Sequence, residues 1–139
     1  MEYFKLISLQ GISRISEILD SICRLTNLRI LDLGACHNLV VLPNGIGSLE
    51  NLTHLDAGLV LDHMLKGLAS LLKLQFLKGF VIGDRKSGSQ CTLADLVDLK
   101  NLRKSSVSTG LRGFPTGKEL TAFERFKALC KLTMARGGW

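Results

Sequence analysis

The sequence predicts an α/β solenoid, a partial horseshoe of stacked coils with a parallel sheet of about six short strands on its concave face. Two observations carry that reading: a Leu-rich phrase recurs along the chain, and the spacing of Leu within it is constant. Leu25, Leu28, Leu31 and Leu33 set the phrase. Leu49, Leu52 and Leu55 repeat it 24 residues later with Ala57 in the fourth place, and Leu71, Leu74 and Leu77 repeat it after a further 22 with Gly79 fourth. A period in this range, with L-x-x-L-x-x-L-x-L spacing, signals a leucine-rich repeat. A short strand turns its Leu side chains inward and the return segment passes beneath them. Each coil then has two apolar faces that only neighbouring coils can cover.

The coils follow in order. Phe4, Ile7, Leu9, Ile15 and Ile18 precede Leu28, Leu31, Leu33, Leu39 and Leu42 by 24 residues, so the first coil is entered almost at Met1, with a strand over Leu6–Leu9. The second strand is placed at Ile30–Leu33. Cys36 follows at the Asn/Cys position of the repeat, where the chain turns inward. The third and fourth strands are placed at His54–Ala57 and Phe76–Val81. Leu96, Leu99, Leu102 and Val107 follow Leu68, Leu71, Leu74 and Gly79 by 28 residues, which puts the fifth strand at Lys104–Val107. Ser105 stands there in place of a core Leu. Phe123, Phe126, Leu129, Leu132 and Met134 come 27 further on, with the sixth strand at Lys131–Met134. Residues 83–92 and 110–118 break the rhythm with Gly, Ser, Pro and charge, and read as exposed loops.

Composition sets bounds. Residues 1–139 read as a single leucine-rich-repeat domain. No polar cap is evident at either end, so the chain is expected to be a fragment of a longer solenoid and to self-associate through its uncapped ends. Hydrophobic residues make up 46% and mean hydropathy is +0.24, which the repeat accounts for. No stretch approaches the roughly 20 apolar residues that span a bilayer. Glu2 and Lys5 interrupt what a signal peptide would need, so a cytoplasmic or nuclear location is expected.

Chemistry-bearing motifs are few. Cys23, Cys36, Cys91 and Cys130 include no C-x-x-C pair and read as reduced thiols. Cys36, His37, His54 and His63 lack the spacing of a tetrahedral metal site, and neither metal nor cofactor is expected. Gly117-Lys118 is not a phosphate-binding loop, because Arg112 and Glu119 stand where Gly and Ser/Thr are needed. Asn51-Leu52-Thr53 is a formal glycosylation sequon built around a framework Leu. Asp32 and Asp56 occupy equivalent places of neighbouring strands, and repeat equivalence accounts for their alignment better than acid–base chemistry does. Enzyme activity is not expected.

Charge is distributed unevenly. Residues 1–70 hold five Lys/Arg against seven Asp/Glu, a net −2, whereas residues 71–139 hold thirteen against five, a net +8. Because strand residues alternate faces, the outward positions can be read off. The central one holds Ser8, Asp32, Asp56, Lys78, Ser106 and Thr133. Two residues earlier come Leu6, Ile30, His54, Phe76, Lys104 and Lys131, and two later come Gln10, Gly34, Gly58, Phe80, Ser108 and Ala135. The concave surface is thus expected to run from acidic through aromatic to basic. Concave solenoid faces bind partners, so Asp32, His54, Asp56, Phe76, Lys78, Phe80 and Lys104 are the expected protein contacts. The competing account of Phe80 is local packing under the 83–92 loop. Nucleic acid is disfavoured for want of an aromatic stacking array or a known motif.

Leu28-Arg-Ile-Leu-Asp-Leu33, Ala35-Cys36-His37-Asn38-Leu39 and Leu42-Pro43-Asn44-Gly45-Ile46-Gly47 together resemble the leucine-rich repeats of plant intracellular immune receptors. The resemblance is strongest to disease-resistance proteins with an N-terminal coiled coil and a nucleotide-binding domain. Leu77-Lys78-Gly79-Phe80-Val81-Ile82-Gly83 and Ala128-Leu129-Cys130-Lys131-Leu132-Thr133 resemble the same family. The resemblance implies a protein-binding module of plant innate immunity. Its partner would be a pathogen effector, a guarded host protein or a receptor's nucleotide-binding domain. The alternative is a generic intracellular repeat scaffold or adaptor without a defence role. The family's Leu-Pro step survives only at Leu42-Pro43, with Ile18-Leu19 and Met64-Leu65 in its place in other coils.

Overall fold

The computed structural model describes residues 4–12, 14, 18, 20–36, 38–39, 42–61, 68, 70–82, 93–109 and 117–136. Six strands form one all-parallel sheet in chain order: β1 (Leu6–Ser8), β2 (Ile30–Asp32), β3 (His54–Leu61), β4 (Phe76–Ile82), β5 (Lys104–Thr109) and β6 (Lys131–Arg136). Parallel neighbours need a crossover. Here the described return segments are short 3₁₀ turns at Asp20–Arg24, Asn44–Ser48, Leu93–Asp98 and Phe123–Arg125, with one short helix, α1 (Gly117–Ala122). No helix among the described residues is long and apolar enough to cross a membrane.

The strands occupy the expected positions, and each coil is fixed to the one before it by the same backbone pattern. The N–H groups of Thr53 and His54 both donate to the Arg29 carbonyl, those of Gln75 and Phe76 to Thr53, and those of Arg103 and Lys104 to Gln75. Beneath the sheet the Leu side chains stack in columns. Leu28, Leu52, Leu74 and Leu102 form one buried column, and Leu31, Leu55 and Leu77 form another. Leu39, Leu42, Ile46 and Leu49 close the second coil from below. Cys36 is buried at the inward turn as expected, and its Sγ donates to the Leu9 carbonyl at 3.0 Å. The residue before it, Ala35, takes a left-handed φ of 59°, which makes that turn possible.

Two expectations are corrected. First, the sheet is irregular at Gly79, which has a φ of +94° and is skipped in the pairing of β4 with β5: Lys78 pairs with Ser106, but Phe80 pairs with Val107. One inserted residue shifts every later position by one place. Phe80 therefore shares a register position with Leu61 and buried Val107, not with Gly58 and Ser108. Second, of the loop read over 110–118, residues 110–116 lie outside the described part, and Gly117 and Lys118 open α1. Glu119 in its first turn suits the positive end of the helix dipole, and Ala122 is buried. The loop read over 83–92 lies wholly outside the described residues. The first and last coils, read from the sequence as uncapped, are less buried than the coils between them. Ile7, Leu9, Phe123, Phe126, Leu129 and Leu132 are only partly buried, and Phe4 is 50% exposed. Each of these coils has a neighbour on one side only.

Candidate functional site

The concave site is assembled by register alone. Ser8, Asp32, Asp56, Lys78, Ser106 and Thr133 are consecutive pairing partners across the six strands, and so are Leu6, Ile30, His54, Phe76, Lys104 and Lys131. These are two of the three rows read from the sequence; the third is broken at Phe80, which pairs with Leu61 and Val107. Strands about 4.8 Å apart put neighbouring side chains in a row within contact distance.

At the acidic end, two carboxylates converge over one glycine. A Cβ on Gly34 would meet Asp56 Oδ2 at 2.9 Å and Asp32 Oδ1 at 3.1 Å, so any side chain there would push the carboxylates away. The Gly34 N–H donates to Asp32 Oδ1 at 3.0 Å, and the Ser8 hydroxyl donates to Asp32 Oδ2 at 3.3 Å. Asp32 is thus held by bonds to both of its oxygens. Repeat equivalence is enough to place both acids.

At the centre, the rings of His54 and Phe76 stack, with centroids 5.9 Å apart and planes 28° from parallel. Thr53 orients the imidazole. Its hydroxyl donates to the Arg29 carbonyl at 3.1 Å and lies 2.8 Å from His54 Nδ1. His54 is exposed and Phe76 half-buried.

At the basic end, Lys78, Lys104 and Lys131 are exposed on β4, β5 and β6, and Arg103 is exposed beside Lys104. The register brings Asp32, His54, Asp56, Phe76, Lys78 and Lys104 together on one strip. Phe80 joins the sheet through its backbone at the shifted position described above, and its side chain lies outside the described ones, as do His37, His63 and Cys91. Among the described residues, no three His, Cys, Asp or Glu side chains are grouped as a metal site.

Some site-building residues escaped the sequence reading. Thr53 and Arg103 are two. Another is an asparagine before the strand: Asn51 Nδ2 donates to the Thr26 carbonyl at 2.9 Å, and Asn101 Nδ2 to the Leu72 carbonyl at 2.6 Å. The recurring Asn-Leu pairs at Asn27, Asn51 and Asn101 were the available signal. Asn51 also accepts from Lys73 Nζ at 2.8 Å, so both ends of the sequon amide are engaged. Burial pushes the Cys23 thiol above its ordinary value, and the Asp20 carboxylate adds to the shift.

Comparison with known proteins agrees with this architecture. No family model matches the sequence. The chain is 34% identical over 120 residues to Disease resistance RPP13-like protein 4 of Arabidopsis thaliana, a match covering 68% of this chain and 14% of that protein. The chain thus corresponds to a small part of its relative's length. Among solved structures it resembles internalin C2 of Listeria monocytogenes, with a TM-score of 0.53 and 17% identity over 94% of this chain and 61% of that one. It also resembles the plant peptide hormone receptor RGFR1, solved in complex with RGF2, with a TM-score of 0.55 and 22% identity over 87% of this chain and 19% of that one. Fold, register and sequence similarity make this chain a leucine-rich-repeat region of the kind found in plant disease-resistance proteins.

Proposed function

We propose that this chain is a non-catalytic, protein-binding module of plant innate immunity, acting in the cytoplasm and engaging its partner through the concave strip. The partner would be a pathogen effector, a guarded host protein or a nucleotide-binding domain that the repeats restrain. The observation that carries the reading is the His54–Phe76 stack, set between carboxylates and lysines on an open sheet face. Aromatic side chains are enriched at interfaces, and a few such anchors supply most of the binding energy. The defence role is supported by similarity to a resistance protein. The receptor neighbour, solved with RGF2 bound, illustrates that a related architecture holds a partner.

A pull-down from leaf extract tests this, with mass spectrometry comparing wild type with Phe76→Ala, Lys78→Glu and the control Leu72→Ala. Leu72 lies outside the sheet and is 57% exposed. Partners retained by wild type and by the control should be lost from both strip variants, provided all four proteins melt alike. If every protein partner survives Phe76→Ala and Lys78→Glu, the strip is not the recognition surface. If retention is instead of nucleic acid and falls steeply with salt, the basic half is acting as a polyanion site.

A further inference from the structure

We infer that the strip selects a charge-polarised extended segment about six residues long, basic where it crosses β2, apolar at its centre and acidic where it crosses β5 and β6. The inference rests on the concave strip being the protein-binding face. It goes further by specifying the chemistry and length of what binds.

Three observations combine. The outward charges are ordered along the sheet: Asp32 on β2, Asp56 on β3, Lys78 on β4, Lys104 on β5 and Lys131 on β6. Asp56 and Lys78 are direct pairing partners, so their fields largely offset each other at the centre. What remains is a negative end at Asp32 and a positive end at Lys104 and Lys131, with the His54–Phe76 stack between them.

Distance then sets the length and the logic of selection. Four strand spacings of about 4.8 Å separate β2 from β6, roughly 19 Å. An extended chain advances about 3.3 Å per residue, so roughly six residues cover the strip. The separation is more than twice the Debye length of about 8 Å at physiological ionic strength. Each end therefore reads only the charge placed over it, and a partner's net charge does not decide the outcome. Local complementarity of this kind gives specificity and association rate. Asp32 is suited to the role because bonds from Gly34 and Ser8 fix both of its oxygens in place before a partner arrives.

Fluorescence anisotropy with the 139-residue chain and labelled ten-residue peptides tests the inference. One peptide has two Lys at one end, Leu and Phe at the centre and two Asp at the other. A second has the same composition with the charges alternating. A third replaces both Lys with Asp, and an oligothymidylate of ten nucleotides serves as the polyanion control. The polarised peptide should bind at least about five-fold more tightly than the alternating one, the scale of two partly exposed charge contacts. Asp32→Asn should remove that advantage and Lys104→Gln should reduce it. Equal binding of the polarised and alternating peptides would overturn the inference, as would equal or tighter binding of the all-acidic peptide or the oligonucleotide. Failure of every peptide to bind would overturn the extended-segment partner. Loss of folded-protein partners from Phe76→Ala would still support the concave face, so the two readings fail separately.

Discussion

Replacing Leu55 with Ala probes the framework at its most constrained point. Leu55 is fully buried and pairs in register with Leu31 on one side and Leu77 on the other, both also buried. Removing three buried carbons forfeits roughly 2–2.5 kcal/mol of transfer free energy at about 0.8 per methylene. A cavity term adds to this to the extent that the surroundings cannot close in. Here hydrogen-bonded strands on both sides hold the flanking coils at fixed spacing, so collapse along the stack is blocked. The expected total is about 3–4 kcal/mol, in the middle of the usual Leu→Ala range. For a chain of this size, that lowers the melting midpoint by roughly 10–15 °C. Circular dichroism melts of Leu55→Ala beside Leu72→Ala, whose side chain is 57% exposed, provide the measurement. A Leu55→Ala midpoint within a degree or two of wild type, or no lower than that of Leu72→Ala, would refute the register and the column built on it.

Other expectations follow from single residues. Ser105 is only 4% exposed, and its hydroxyl has no hydrogen-bond partner among the described residues, so Ser105→Ala should raise stability by about 1 kcal/mol in urea unfolding. A loss of stability would mean that the hydroxyl is satisfied. In thiol labelling at pH 8 followed by peptide mapping, exposed Cys130 should react well before Cys23 and buried Cys36. Since the Cys23 pKa is raised on folding, its contribution to stability is complete below the unfolded value of 9.0 and is lost as pH climbs through the higher folded value. Cys23→Ser should accordingly flatten the alkaline limb of the stability profile. Finally, Phe4 and Leu6 are exposed by half or more at one edge of the sheet and Met134 is exposed at the other, so light scattering should show self-association rising with concentration. A monodisperse monomer at high concentration would refute that.

The strand positions and two of the three concave rows were legible because two periods reinforce each other. The repeat aligns coils, and the two-residue alternation of a strand then assigns every side chain to a face. Asp32 beside Asp56, and His54 beside Phe76, follow from counting alone. Counting fails at Gly79, because a residue left out of the pairing reverses the parity of all that follows in that strand. A lone Gly within a strand pattern was the available warning. Counting also overstates Phe4 and Met134, since periodicity reports which face a residue occupies but not whether a neighbouring coil covers it. Hydrogen bonds such as that of Thr53 with the imidazole depend on side-chain geometry that spacing does not encode.

Strand length differs along the sheet: β1 and β2 have three residues each, whereas β3 to β6 have between six and eight. In a stack stabilised by nearest-neighbour contacts, growth starts where adjoining coils share the longest ladder and spreads outward. Six pairs join β4 to β5 and six join β5 to β6, against three between β1 and β2 and three between β2 and β3, so nucleation belongs to β4, β5 and β6, and amides near Ile30 should exchange with solvent sooner than those near Leu77. The two poles of the strip consequently differ in persistence. The carboxylate pole can open and re-form while the lysine pole stays in place, so a partner held at both ends would first loosen from Asp32.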